Sequence, residues 1–91
     1  MKTKYIVTSD GPRGLETMFI FPENIVHKHM ADGARVAGGG RPVSAGFLSV
    51  TTDKKDRPRV AAFGESESLG IKSRPEEDTI LAAETLGIFR R

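Results

Sequence analysis

Leu15-Glu16-Thr17-Met18-Phe19-Ile20-Phe21-Pro22 is the stretch whose reading decides the fold. Its run of apolar and aromatic residues favours a strand over residues 15–21. Pro22 ends the strand and suits the first turn of a helix. Upstream, residues 4–8 (Lys-Tyr-Ile-Val-Thr) have the same strand character. Ser9-Asp10-Gly11-Pro12-Arg13-Gly14 between them is a turn, because its Asp-Gly and Gly-Pro pairs supply positive and fixed φ. The first unit is therefore a hairpin.

Downstream, residues 23–31 read as a short helix with Ile25, Val26, His29 and Met30 on one face. Ala31 to Pro42 contains Gly33 and Gly38-Gly39-Gly40, and reads as a flexible loop. Residues 43–51 form a third strand and residues 59–63 a fourth, joined by the polar loop Thr52-Asp53-Lys54-Lys55-Asp56-Arg57-Pro58. Ser73-Arg74-Pro75-Glu76 has the spacing of a capping box, which opens a second helix with three acids in its first turn. That helix runs to about Leu86 and stops at Gly87. Ile88 and Phe89 are expected to dock back on the core, and Arg90 and Arg91 to fray.

The expected fold is a single α+β domain over residues 1–91, a two-layer arrangement in ββαββα order with an antiparallel sheet of about four strands and two short helices. Strands two and three are apolar on both faces, which suggests a face left for a partner, most simply a second copy. At 91 residues the chain supports one modest core, burying on the order of 60% of its unfolded surface.

The chain has no cysteine, so disulfide and thiolate chemistry are excluded and a reducing, cytoplasmic setting is the expectation. No apolar run is long enough for a membrane span, and the segment after Lys2 and Lys4 is too short for a signal-peptide core. Net charge is +2; the first 45 residues carry six Lys/Arg and four Asp/Glu, the other 46 eight of each. Neither half is a charged tail, so charge alone permits nucleic-acid binding without indicating it.

Candidate chemistry is sparse. His27-Lys28-His29 places its two imidazoles about 200° apart on a helix, and the chain has no third histidine. No metal centre and no cofactor is expected; His29 reads as half-buried and His27 as solvated. Glu65 and Glu67 alternate after the fourth strand, so an extended backbone puts both carboxylates on one face, the minimum for a small acid–base enzyme. Gly38-Gly39-Gly40-Arg41-Pro42 lacks the Lys-Ser/Thr end of a phosphate loop. Lys54, Lys55, Arg57 and Arg59 cluster at a hairpin tip with Asp53 and Asp56. They suit phosphate contact, but no aromatic residue is interleaved to stack on bases.

The densest segment is Gly64 to Thr79. Glu65, Ser66, Glu67, Ser68, Lys72, Ser73 and Arg74 form the candidate recognition or anion site: a capped helix N-terminus, hydroxyl donors and two cations. The acids Glu76, Glu77 and Asp78 oppose a further anion there.

Phe21-Pro22-Glu23, Pro42-Val43-Ser44-Ala45-Gly46-Phe47 and Gly64-Glu65-Ser66 through Ser68-Leu69-Gly70-Ile71-Lys72-Ser73-Arg74-Pro75-Glu76 together resemble small proteins encoded in bacteriophage and prophage genomes. The resemblance spans residues 21 to about 80 and is most specific in its last segment. It implies a phage or bacterial origin and a short protein, and carries no activity. The functional expectation is a non-catalytic binding or accessory module working through protein contacts or homo-oligomerisation. The alternatives are nucleic-acid binding through residues 54–59 with Lys72 and Arg74, and a small enzyme using Glu65 or Glu67.

Overall fold

The structure is a computed structural model that describes residues 3–10, 14–36 and 40–88. Strands β1 (Thr3–Ser9) and β2 (Glu16–Pro22) pair antiparallel, as the opening stretch predicts. Asp10 ties off their turn: its N–H donates to the Leu15 carbonyl at 3.1 Å and its carboxylate accepts the Leu15 N–H at 3.1 Å. The centre of that turn, Gly11 to Arg13, lies outside the described residues, as do Gly38, Gly39 and the final Phe89, Arg90 and Arg91.

Strands β3 (Arg41–Thr52) and β4 (Pro58–Phe63) form the second hairpin. β3 pairs antiparallel with β1, so the sheet order is β2-β1-β3-β4. The α+β class, the four-stranded antiparallel sheet and the two helices are as expected.

Helix α1 (His27–Val36) begins four residues later than the predicted 23–31 and continues into the expected loop. A turn comes first: the Ile25 N–H donates to the Pro22 carbonyl at 3.2 Å, and Lys4 Nζ donates to the Ile25 carbonyl at 2.9 Å. Pro22 itself stays in β2, opposite Thr3. The later start shifts the helical phase. The buried face now carries His27, Ala31 and Ala34, at i, i+4 and i+7. The histidine expectation is thereby reversed: His27 is buried and His29 is exposed.

After β4 the chain makes a small hairpin that the sequence reading did not contain, β5 (Glu65–Ser66) with β6 (Ile71–Lys72). Helix α2 (Pro75–Leu86) follows and ends, as predicted, at left-handed Gly87. The Ile88 N–H donates to the Ala83 carbonyl at 2.7 Å and the Gly87 N–H to that of Glu84 at 3.2 Å, which satisfies the last turn.

The two helices lie on opposite faces of the sheet. Tyr5, Val7, Met18, Leu48 and Ala62 pack with Ala82 of α2. Ile6, Phe21 and Ala45 point the other way and pack with Ala31 and Ala34 of α1, joined by Leu69 and Ile71 from the small hairpin. The layering is therefore extended by a helix on the second face. The doubly apolar strands are explained by this sandwiching, and the second apolar face is largely filled from within. What stays open is the far part of the α1 face, where Ala61 and Phe63 of β4 are exposed, Phe63 at 43%.

Candidate functional site

The segment from Gly64 to Asp78 divides into an outward and an inward half. Gly64, at φ +81°, starts the outward half; a Cβ there would lie 3.0 Å from the Phe47 ring. The Ser73 N–H closes the excursion by donating to the Gly64 carbonyl at 3.0 Å. Within it Ser66 is buried, and its Oγ accepts the Leu69 N–H at 3.2 Å. Leu69 and Ile71 anchor the hairpin on the α1-side core. Glu65, Glu67 and Ser68 face solvent. Ser68 Oγ accepts the Lys28 N–H of α1 at 3.2 Å, which ties the hairpin to the first turn of that helix.

Between α1 and this hairpin lies an open cleft of about 640 Å³, lined by Lys4, Val26, His27, Phe47, Glu65, Glu67 and Ser68. That volume falls in the range of ordinary ligand sites. Its wall is aromatic. His27 meets Phe21 and Phe47 edge-on, with centroids 5.4 and 5.6 Å away, and Phe47 stacks on Phe63 at 5.8 Å. His27 Nε2 lies 2.9 Å from the Gly46 carbonyl. Burial, aided by the nearby Lys4 charge and against the pull of the Gly46 bond, lowers the imidazole below its ordinary pKa. The ring is therefore neutral at pH 7, with Nε2–H donating to the carbonyl.

The inward half is built around Asp78, which the sequence reading counted as a first-turn acid. It is 0% exposed. Its carboxylate accepts the Tyr5 hydroxyl at 2.5 Å, the Ser44 hydroxyl at 3.1 Å and the Arg74 backbone N–H at 2.9 Å. Arg74 Nε and NH2 donate to it at 3.1 and 2.9 Å. The same guanidinium meets Glu16 of β2 at 2.8 and 3.0 Å, and Glu77 at 3.2 Å. Burial first, then the Asp78 hydrogen bond and charge, raises Tyr5 well above the ordinary phenol pKa, so it stays a donor. Arg74 is raised too, chiefly by its bonds to Glu16 and then by Asp78, against the effect of burial.

Two site expectations change with this geometry. Ser73 is not the helix cap: Arg74 holds that position, no side chain caps it, and Asp78 reaches back to its N–H instead. The N-cap N–H is thus taken by an internal carboxylate, and the Arg74 guanidinium is bound to Glu16, Glu77 and Asp78. Lys72 sits exposed on β6, opposite Glu65 in the hairpin register.

The basic tip forms as read. Asp53 organises it, accepting N–H groups from Lys55 at 2.8 Å and Arg57 at 3.0 Å, and pairing with the Arg57 and Arg59 side chains at 3.1 and 3.5 Å. The Asp53 carboxyl is held below its ordinary pKa, mainly by the Arg57 N–H. Lys54 and Lys55 are exposed. The tip lies beyond Thr52, whereas Arg74 is bound beside Ser44 towards the other end of β3, so the two basic groups are separated by roughly 27 Å of strand.

Asp78, Tyr5 and Glu16 were not among the candidates, and His27 was read as solvated. A signal existed for two of them. Asp78 sits four residues before Ala82 on the apolar face of α2, and His27 heads the i, i+4, i+7 series of α1. No protein-family model, curated protein or solved structure matches the chain. No described helix is long and apolar enough to cross a membrane.

Proposed function

We propose that the protein is a non-catalytic binding module, cytoplasmic and of phage type, that takes a segment of a protein partner into the cleft between α1 and the β5–β6 hairpin. One observation carries this reading. The cleft joins the residues of the dense segment that local structure leaves outward, Glu65, Glu67 and Ser68, to an apolar wall of Val26 and Phe47. Leu69 and Ile71 anchor the hairpin from within and Ser68 ties it to α1, while Glu65 and Glu67, which make no side-chain bond to the fold among the described residues, line the cleft. Homo-oligomerisation has less support, since α1 and α2 fill most of both sheet faces. Nucleic-acid binding has less support too, since Arg74 is paired with Glu16, Glu77 and Asp78.

The test is selection of displayed random peptides on the folded protein, with counter-selection on a Val26→Glu variant. Val26 is an exposed lining residue, so this change blocks the cleft while sparing the core. Enriched peptides that bind the native chain and lose binding to the variant support the reading. Peptides that bind both equally, or no enrichment, sink it. The cleft beside Glu65 and Glu67 also favours a second reading, a small enzyme using those carboxylates. Turnover of model esters or glycosides that is lost in Glu65→Gln or Glu67→Gln would establish it in place of the first.

A further inference from the structure

We propose that the cleft receives a single lysine or arginine side chain of the partner, its alkyl stem against Val26 and Phe47 and its cationic head between Glu65 and Glu67. This rests on the binding reading above. Lysine and arginine are apolar along the stem and charged at the tip, and the cleft lining offers a partner for each, Val26 and Phe47 for the stem and Glu65 and Glu67 for the head.

Charge favours a cation. The lining holds two carboxylates against one ammonium, and that ammonium, Lys4 Nζ, already donates to the Ile25 carbonyl. His27 adds no charge at pH 7, for burial lowers its pKa. Among the described residues no ion pair involves Glu65 or Glu67; Lys72 stands opposite Glu65 in the hairpin register, so Glu67 is the carboxylate with no cation set against it in that register. The contrast with Asp53 and Asp78 is sharp, since each of those is tied to an arginine.

Other ligand classes fit less well. Among the described residues no three His, Cys, Asp or Glu side chains converge to hold a metal ion. A phosphate or carboxylate ligand would meet two like charges at the rim. A wholly apolar side chain would satisfy the wall and leave the carboxylates unanswered.

The experiment is an NMR titration of the ¹⁵N-labelled protein with acetyl-Gly-Ala-Arg-Ala-Gly-amide and with its lysine and citrulline counterparts. Citrulline keeps the shape of arginine and removes the charge. The arginine and lysine peptides should shift the amides of Val26, Phe47, Glu65, Glu67 and Ser68 with a Kd of about 1 mM or tighter, the scale of a single anchored side chain. The citrulline peptide should bind at least about threefold more weakly, as expected for loss of a charge-assisted contact at a rim. In Glu65→Gln/Glu67→Gln, or in Glu67→Gln alone, that preference should vanish.

Equal binding of citrulline and arginine at the cleft overturns the inference and leaves the binding reading standing. So does enrichment, in the peptide selection, of cleft-dependent binders that lack basic residues. No shift of the cleft amides by the arginine peptide at about 10 mM, a concentration that would reveal even a very weak site, also overturns it. The binding reading then stands or falls by the selection alone.

Discussion

Asp78 and the pair Glu65–Glu67 are acids of one continuous segment, and they live opposite lives. Asp78 is sealed in the sheet's α2 face with Tyr5, Ser44 and Arg74 as partners. Glu65 and Glu67 stand at the rim of the cleft on the α1 face. Burying a carboxylate is costly unless hydrogen bonds and an opposite charge surround it. Asp78 meets that demand, so its chemistry is consumed in holding β1, β3 and α2 together. The rim pair contributes nothing comparable to the fold, so its chemistry stays available. In this molecule a charged group with internal partners marks structure, and one without them marks the surface to test.

The largest effect should come from breaking the inward side. Asp78→Ala leaves two buried hydroxyls and a guanidinium short of a partner and should cost about 3–5 kcal/mol, as removal of one member of a buried pair does. Urea unfolding reads this directly, and a loss below about 1 kcal/mol, the worth of an ordinary hydrogen bond, would end the contrast. Next comes Gly46, which lies between the two regions. A Cβ there would fall 2.4 Å from the Phe63 carbonyl oxygen and 3.2 Å from Ser73. Gly46→Ala should destabilise by roughly 1–3 kcal/mol, the scale of overpacking, and should shift the NMR signals of His27, whose ring bonds the Gly46 carbonyl.

A smaller effect is set by pH. The unfolded chain protonates His27 near its ordinary pKa of 6.5, and the folded chain only below that. The unfolded state therefore binds more protons as pH falls through this range, so stability is full above about pH 6.5 and declines towards the lower folded pKa. His27→Asn should flatten that part of the stability profile, and a profile unchanged by the substitution would remove His27 from the cleft wall's energetics. The smallest effect belongs to the rim. Glu65→Gln/Glu67→Gln should leave stability within about 0.5 kcal/mol of the native chain, as surface changes usually do. A larger loss in thermal or urea unfolding would mean that the pair is structural after all.

Much of the fold was legible because its signals are local. β-branched and aromatic runs mark β1 to β4, and Gly87 marks the end of α2. The errors over α1 and over Asp78 share one cause, partners distant in sequence. Lys4 holds the Ile25 carbonyl across 21 residues and helps delay α1, which turns His27 inward and His29 out. Tyr5 reaches Asp78 across 73 residues, and no local rule distinguishes that acid from Glu76 and Glu77 beside it. Of the site, the sequence singled out Glu65, Glu67 and Ser68 by their density, but not the opposing wall. Val26 and Phe47 read as ordinary strand or helix residues until the fold brings them across from the rim.

The Ser73–Gly64 bond has a consequence for how such a protein changes over generations. It closes residues 64–73 into a loop whose anchors, Ser66, Ser68, Leu69 and Ile71, are distinct from its outward positions 65 and 67. If the cleft binds a partner as proposed, recognition can be rewritten at positions 65 and 67 while the scaffold is inherited intact.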